Sequence, residues 1–211
     1  QYLGLLLYLL VLFKVDRGWL TSAAGFADRE TFKRLFALNR DIMIRTLCLV
    51  SVFASFINIS AAIGTVTLAA NAILLNLFYL VAYAVDSFAL SLHSLAGISK
   101  GRNDAQATRR LLSLAMAWGM VIALLAVALL WAAPQTIFAL MTSHGDIVAA
   151  MMAYRGWLYA TLLLGAVAFI YDGLFLGLTE GAVLRNAMLA STLLVYTPLA
   201  LLAQQRASVS L

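Results

Sequence analysis

The sequence predicts an all-α, polytopic transmembrane bundle with about five complete spans and a partial first one. Hydrophobic residues make up 64% of the 211 residues and charged residues only 11%, whereas soluble domains average about 25% charged residues. Apolar stretches of about 20 residues, enough to cross a bilayer as a helix, alternate with short charged links. The alternating pattern of a membrane β-barrel is absent from the sequence, so helices must satisfy the backbone hydrogen bonds in lipid.

The amino-terminal part predicts an incomplete span. Residues 1–13 are apolar but too few to cross a bilayer, and they lack the starting Met and basic region of a signal peptide. We therefore expect a fragment of a longer protein, with a partial transmembrane helix at residues 1–13, a cytoplasmic linker at 14–40 and a transmembrane bundle at 41–206. Within the linker, residues 31–38 fit either a short amphipathic surface helix or a solvated connector.

Helix-breaking residues separate the five complete spans. Gly64 and Thr65 form a tight turn, Pro134 closes the third span, and the sequence around His144 to Asp146 indicates a loop. The predicted spans are residues 42–63, 68–97, 107–133, 147–178 and 185–203.

The distribution of basic residues predicts the orientation. If the linker is cytoplasmic, strict alternation of spans puts twelve of the fourteen Lys and Arg residues inside, with only Arg155 and Arg206 outside. We expect a multi-pass protein of the inner (plasma) membrane.

Several function classes are not expected. The net charge of +5 comes from bases beside apolar runs without interleaved aromatic residues, so no nucleic-acid partner is predicted. One cysteine and two scattered histidines predict no disulfide within the chain, no metal site and no cofactor. No nucleophile elbow, phosphate-binding loop or zinc-protease motif occurs, so we predict no catalytic residue and no enzyme.

The second complete span carries an unusual set of polar residues. Asn76, Tyr79, Tyr83, Asp86 and His93 follow one another at offsets that place them on one arc of a helix. An ionised carboxylate at the bilayer centre costs about 2.5 to 3.5 kcal/mol on insertion scales. We therefore expect Asp86 to face the bundle interior or a watery cavity, or to be protonated.

A second acid, Asp172, lies in the fourth complete span. Intramembrane carboxylates commonly serve as proton relays or cation sites, and the alternative is a structural carboxylate bonded to a neighbouring helix. Asn71, with the polar residues of the arc, would line an amphipathic cavity or join helices by hydrogen bonds. Gly173 and Gly177 form a GxxxG pair that permits close helix packing.

Five motifs in order carry a family resemblance: LNRDIMIRTLCLV, LAANAILLN, DSFALSLHSLAG, GRNDA and YDGLFLGLTEGAVLRNAM. Together they resemble the carboxyl-terminal lobe of multidrug and toxic compound extrusion (MATE) transporters, in the branch named for DNA-damage-inducible protein F. Such transporters have two six-helix lobes around a central cavity and exchange protons or sodium ions for cationic or amphipathic drugs. The resemblance implies the end of helix six and helices seven to eleven, with the amino-terminal lobe as the partner in the same protein.

The resemblance also bears on single residues. It matches Asp86 to the acid of the helix-eight DGFA motif and Asp172 to the helix-ten acid of this branch. His93 stands where the family usually has Glu, and Ser87 replaces the usual Gly. The acid most associated with proton coupling belongs to the amino-terminal lobe, and the sodium-coupled branch places its helix-ten acid one turn earlier. Protons are therefore the expected coupling ion.

The predicted function is a cation-coupled antiporter that exports amphipathic or cationic compounds across the membrane. Asp86 and Asp172 would supply ion coupling or cavity charge, and the path would be lined by Asn71, Asn76, Tyr79, Tyr83 and His93. Two alternatives remain open at this point: a lipid-linked oligosaccharide flippase of the same superfamily, and a non-transporting membrane scaffold subunit.

Overall fold

The computed structural model describes residues 29–209, which form helices and short turns without a β-strand. The elements are α1 (Arg29–Ile63), α2 (Thr65–Gly101), α3 (Ala105–Ala132), α4 (Pro134–Met141), α5 (Gly145–Gly177), α6 (Gly181–Ala190), a π-helical segment (Ser191–Tyr196) and α7 (Thr197–Val209). Five stretches are long and apolar enough to cross a membrane: Phe36–Ile63, Thr65–Gly101, Ala105–Ala132, Gly145–Gly177 and Gly181–Ala203. The predicted all-α polytopic bundle is confirmed.

The first helix starts earlier than the sequence suggested. Residues 29–40, which we assigned to the linker, are the first turns of α1, because the stretch 29–63 contains neither glycine nor proline to end a helix. The surface helix considered at residues 31–38 is therefore part of this continuous helix. The predicted partial span at 1–13 and the rest of the linker lie outside the described residues. From Asp41 onward the chain forms one compact unit.

The breaks between helices follow the backbone chemistry of single residues. Gly64 alone separates α1 from α2, with a φ of 151° that L side chains rarely adopt. Pro134 begins α4, a short helix between two predicted spans, because proline lacks the N–H that a first helical residue leaves unbonded. Asp104 caps α3 by accepting a hydrogen bond from the backbone N–H of Ala107 at 2.8 Å.

The centre of the unit is a three-helix core of α2, α3 and α5. Its main cluster of buried side chains consists of small and branched residues: Val85, Ala89, Leu92 and Ala96 from α2, Ala115 and Ala123 from α3, and Ala166, Ile170 and Leu174 from α5. In lipid, where apolar burial drives little helix association, small residues favour close van der Waals packing. The core residues therefore hold the three helices close together.

The closest approach is between α5 and α2. A Cβ atom built at Gly173 would lie 2.3 Å from the carbonyl oxygen of Ala89, and one at Gly177 would lie 2.3 Å from that of His93. Both distances are far below van der Waals contact, so only glycine fits at these two positions. The predicted packing role of the GxxxG pair is confirmed, and it fixes how α5 is aligned along α2.

By contrast, α1 buries few side chains. Among its described side chains only those of Asp41 and Ser60 are buried, and both are polar. Its contacts with the rest of the unit include hydrogen bonds and ion pairs at a few points along its length. The helix is consequently less firmly packed than α2, α3 or α5.

Substituting Gly173 with alanine should destabilise the intact protein by about 1 to 3 kcal/mol, the usual cost of overpacking a tight core. The matched control is Gly156→Ala in the same helix, where an added Cβ has no neighbour within 4 Å. That change should be neutral or stabilising by up to about 1 kcal/mol, because alanine favours helices. Thermal unfolding in detergent measures both, and equal melting temperatures for the two variants would contradict the close contact.

Candidate functional site

The alignment of α5 on α2 brings three titratable side chains together within the membrane span. Gly173 lies against Ala89 and Gly177 against His93, so Asp172 lies at the level between Asp86 and His93. Its carboxylate interacts electrostatically with both of these side chains and with Arg45 of α1. We call Arg45, Asp86, His93 and Asp172 the charge cluster.

The strongest contact in the charge cluster is an ion pair between α1 and α5. The guanidinium Nη2 of Arg45 lies 2.6 Å from Oδ1 of Asp172, and both side chains are about 21% exposed. A partly buried pair at this distance is a charge-assisted hydrogen bond, which is about twice as strong as a neutral one. The pair therefore tethers the loosely packed α1 to the core.

A second ion pair lies one helical turn away on α1. Arg185 of α6 donates from Nη1 to Oδ1 of Asp41 at 2.6 Å, and the Asp41 side chain is only 8% exposed. Asp41 and Arg45 are four residues apart, so they lie on the same face of α1. This face thus meets the rest of the protein through opposite charges at two successive turns.

The other two members of the charge cluster are differently placed. Asp86 is half-buried and His93 is exposed. Within the described part of the chain, the Asp86 carboxylate makes no hydrogen bond or ion pair, and its electrostatic interaction is with Asp172. In the charge cluster, Asp172 is therefore paired with Arg45, whereas Asp86 has no direct partner among the described residues.

A cavity of about 530 Å³ lies farther along α1. Its wall is mostly aromatic and aliphatic, and includes Val52, Phe53 and Phe56 from α1, Asn71, Leu74 and Phe78 from α2, Tyr154, Trp157 and Thr161 from α5, and Tyr196 from the π-helical segment. Val52 is seven residues, or about 10 Å, beyond Arg45 on the same helix. The helix tethered by the charge cluster thus also forms one wall of the cavity.

The predicted path-lining residues divide between several environments. Asn71 lines the cavity. Tyr79 is half-buried beside it, with its ring centroid 5.7 Å from that of Phe53, and Tyr83 stacks on Tyr79 but is 71% exposed. Asn76 is exposed. The structure therefore brings Asp86, His93 and Asp172 together but separates this group from Asn71.

Sequence reasoning missed Arg45, which we took for a base at the membrane edge. The available signal was the pair Asp41 and Arg45 at i and i+4 in a stretch without helix breakers, which predicts two charges on one helix face. It also missed Phe53, Trp157 and Tyr196 as cavity walls. No local sequence pattern distinguishes these three residues, because aromatic residues also occur on lipid-facing surfaces.

Comparisons with known proteins agree with this architecture. The family model described as MatE matches residues 42–202. DNA damage-inducible protein F of Escherichia coli (strain K12) is 33% identical over 190 residues, which are 89% of this chain and 41% of that protein. The chain thus spans about two fifths of the length of this curated relative. In the comparison with solved structures, none matches. With most of its length covered by the family model, the chain belongs to the MATE family, in the branch of DNA damage-inducible protein F.

Proposed function

We propose that this chain is part of a proton-coupled antiporter of the inner membrane, which exports amphipathic or cationic compounds. The observation that carries the proposal is the Arg45–Asp172 ion pair at 2.6 Å, because it lies in the membrane span and holds the helix that walls the cavity. Membership of the MATE family supports transport as the general activity.

Asp172 is proposed as the proton-exchanging group. A charged side chain in a membrane span is costly unless it is paired, and here Arg45 provides the pairing charge. Protonation would neutralise the carboxylate, remove the attraction to Arg45 and leave the guanidinium partly buried without its partner. Binding of one proton would therefore replace a favourable contact between α1 and α5 with an unfavourable one.

Such a change would reach the cavity through α1. This helix buries little apolar surface, so the ion pairs and a few hydrogen bonds provide much of its attachment. Loss of the Arg45–Asp172 contact would let α1 shift and move Val52, Phe53 and Phe56, which line the cavity. The paired state would hold substrate in the cavity, and the protonated state would release it.

Proton and substrate would then compete, as antiport requires. If protonation weakens substrate binding, substrate binding must weaken protonation by the same factor. Asp86 and His93, which interact electrostatically with Asp172, are proposed to pass the proton between Asp172 and water. Protons are favoured over sodium because Arg45 already supplies a cation at the Asp172 carboxylate.

The cavity fits amphipathic substrates. Its volume of about 530 Å³ lies within the usual range of about 300 to 1,000 Å³ for small-molecule sites, and Phe53, Phe56, Phe78 and Trp157 offer aromatic faces for apolar or cationic groups. A flippase for a lipid-linked oligosaccharide calls for a basic cavity, and none of the fourteen described lining residues is basic. We therefore do not propose the flippase.

Replacing Asp172 with asparagine in the intact protein should abolish substrate efflux driven by an imposed proton gradient, because the amide cannot exchange a proton. The matched control is Asp146→Asn in the first turn of the same helix, where the side chain is exposed and efflux should be unchanged. Transport by reconstituted vesicles is the measurement. Efflux retained in Asp172→Asn would remove this acid from the mechanism.

A second substitution separates coupling from stability. Asp172→Asn alone leaves Arg45 partly buried and unpaired, so it should destabilise the protein by up to about 3 to 5 kcal/mol. Adding Arg45→Gln should recover much of the melting temperature but none of the proton-driven efflux. If the double variant regained transport as well, Asp172 would be purely structural.

A further inference from the structure

The polar groups of the cavity include several hydrogen-bond acceptors that are left without a donor, as the hydrogen bonds of Asn71 indicate. The Ser60 hydroxyl donates its single proton to the carbonyl oxygen of Phe56 at 2.8 Å. Its oxygen can therefore only accept from Asn71, so the amide NH₂ of Asn71 must face Ser60, at 2.8 Å. The amide oxygen of Asn71 has no partner among the described residues and is left for the cavity.

Two other hydroxyl groups of the cavity lining have also donated their protons to the backbone. Tyr196 donates to the carbonyl oxygen of Val52 at 3.1 Å, and Thr161 donates to the carbonyl oxygen of Trp157. Each oxygen keeps lone pairs that can accept a further hydrogen bond. Three cavity residues thus offer acceptors, Thr67 and Tyr154 can act in either role, and the indole N–H of Trp157 and the second amide N–H of Asn71 can only donate.

No formal charge accompanies these acceptors. None of the fourteen described residues that line the cavity is acidic or basic, so an organic anion would meet no cation there. An organic cation would instead meet aromatic faces, whose quadrupole attracts positive charge. The lining therefore favours a cation that also carries hydrogen-bond donors.

On the basis of the proposed transport function, we propose that the cavity selects aromatic molecules bearing N–H donors, such as protonated amines, over quaternary ammonium ions of the same shape. The ammonium would rest against the aromatic wall and donate to the oxygens of Asn71, Thr161 and Tyr196. A quaternary ammonium carries the same charge but has no N–H, so these acceptors would lose their water without gaining a partner.

A matched pair of probes tests this proposal: 1-naphthylmethylammonium and its N,N,N-trimethyl analogue. Their dissociation constants are measured on the intact protein in nanodiscs by calorimetry, without a proton gradient. Even one of these hydrogen bonds from a charged donor should make the primary ammonium bind at least about tenfold more tightly. Asn71→Leu should lower this ratio several-fold while leaving the affinity for the trimethyl probe within about twofold.

Thr65→Val is the control variant, because Thr65 is exposed at the start of the same helix and outside the cavity lining. The ratio should stay as in the parent protein. If Asn71→Leu does not fold, Thr161→Val tests the same acceptor role with a smaller fall in the ratio. Equal affinity of the parent protein for both probes would overturn the proposal. Displacement of both probes alike by phosphatidylcholine, which has no N–H, would identify a phospholipid as the occupant and overturn it as well.

The outcome is separable from that of the proposed function. Selective binding without proton-driven efflux would overturn the antiport proposal alone. If both probes are exported but bind with equal affinity, the proposed selectivity for N–H donors alone is overturned. Absence of binding by either probe would overturn the assignment of the cavity as the substrate site.

Discussion

The contact of Gly173 and Gly177 with the α2 backbone is the constraint on which the rest of the site depends. Because a Cβ at either glycine would lie 2.3 Å from a carbonyl oxygen of α2, the two helices meet in one alignment. That alignment sets Asp172 between Asp86 and His93 and within reach of Arg45. A slide of one helical turn, about 5.4 Å, would separate these charges. The polar chemistry of the site is therefore a consequence of packing between small residues.

Firm and loose packing have different roles in this unit. Helices α2, α3 and α5 are held by contiguous clusters of buried apolar side chains, which provide a fixed frame. Helix α1 is held to that frame through Arg45–Asp172, Asp41–Arg185 and a few hydrogen bonds. One proton can neutralise a carboxylate and so break an ion pair of this kind, whereas contacts between buried apolar side chains do not respond to protonation.

The fold could be predicted from the sequence because hydrophobic length and helix breakers act locally. The spans ending at Gly64 and Pro134 needed no knowledge of tertiary structure. Helix α1 begins earlier than the predicted span because nothing in the charged stretch before that span ends a helix. Asp86 and Asp172 could be identified as candidate site residues because a carboxylate within a long apolar stretch is recognisable from the sequence alone.

The partners of these acids could not be predicted in the same way. Arg45 is one of many bases near the ends of spans, and only the three-dimensional alignment selects it as the neighbour of Asp172. The cavity wall combines residues from distant parts of the chain, such as Phe53 and Tyr196, which have no common sequence signal. The hydrogen-bonding direction of Asn71 depends on the Ser60 hydroxyl. The sequence thus predicts candidate groups, and their pairing requires the packed structure.

The most direct test of the account is the release of protons on substrate binding, measured with a pH indicator in weakly buffered detergent solution. If substrate favours the paired state of Arg45 and Asp172, adding a cavity ligand to the protonated protein should release close to one proton per molecule, and Asp172→Asn should release none. Binding without proton release, or equal release by the Asp172→Asn protein, would contradict the coupling of this ion pair to the cavity.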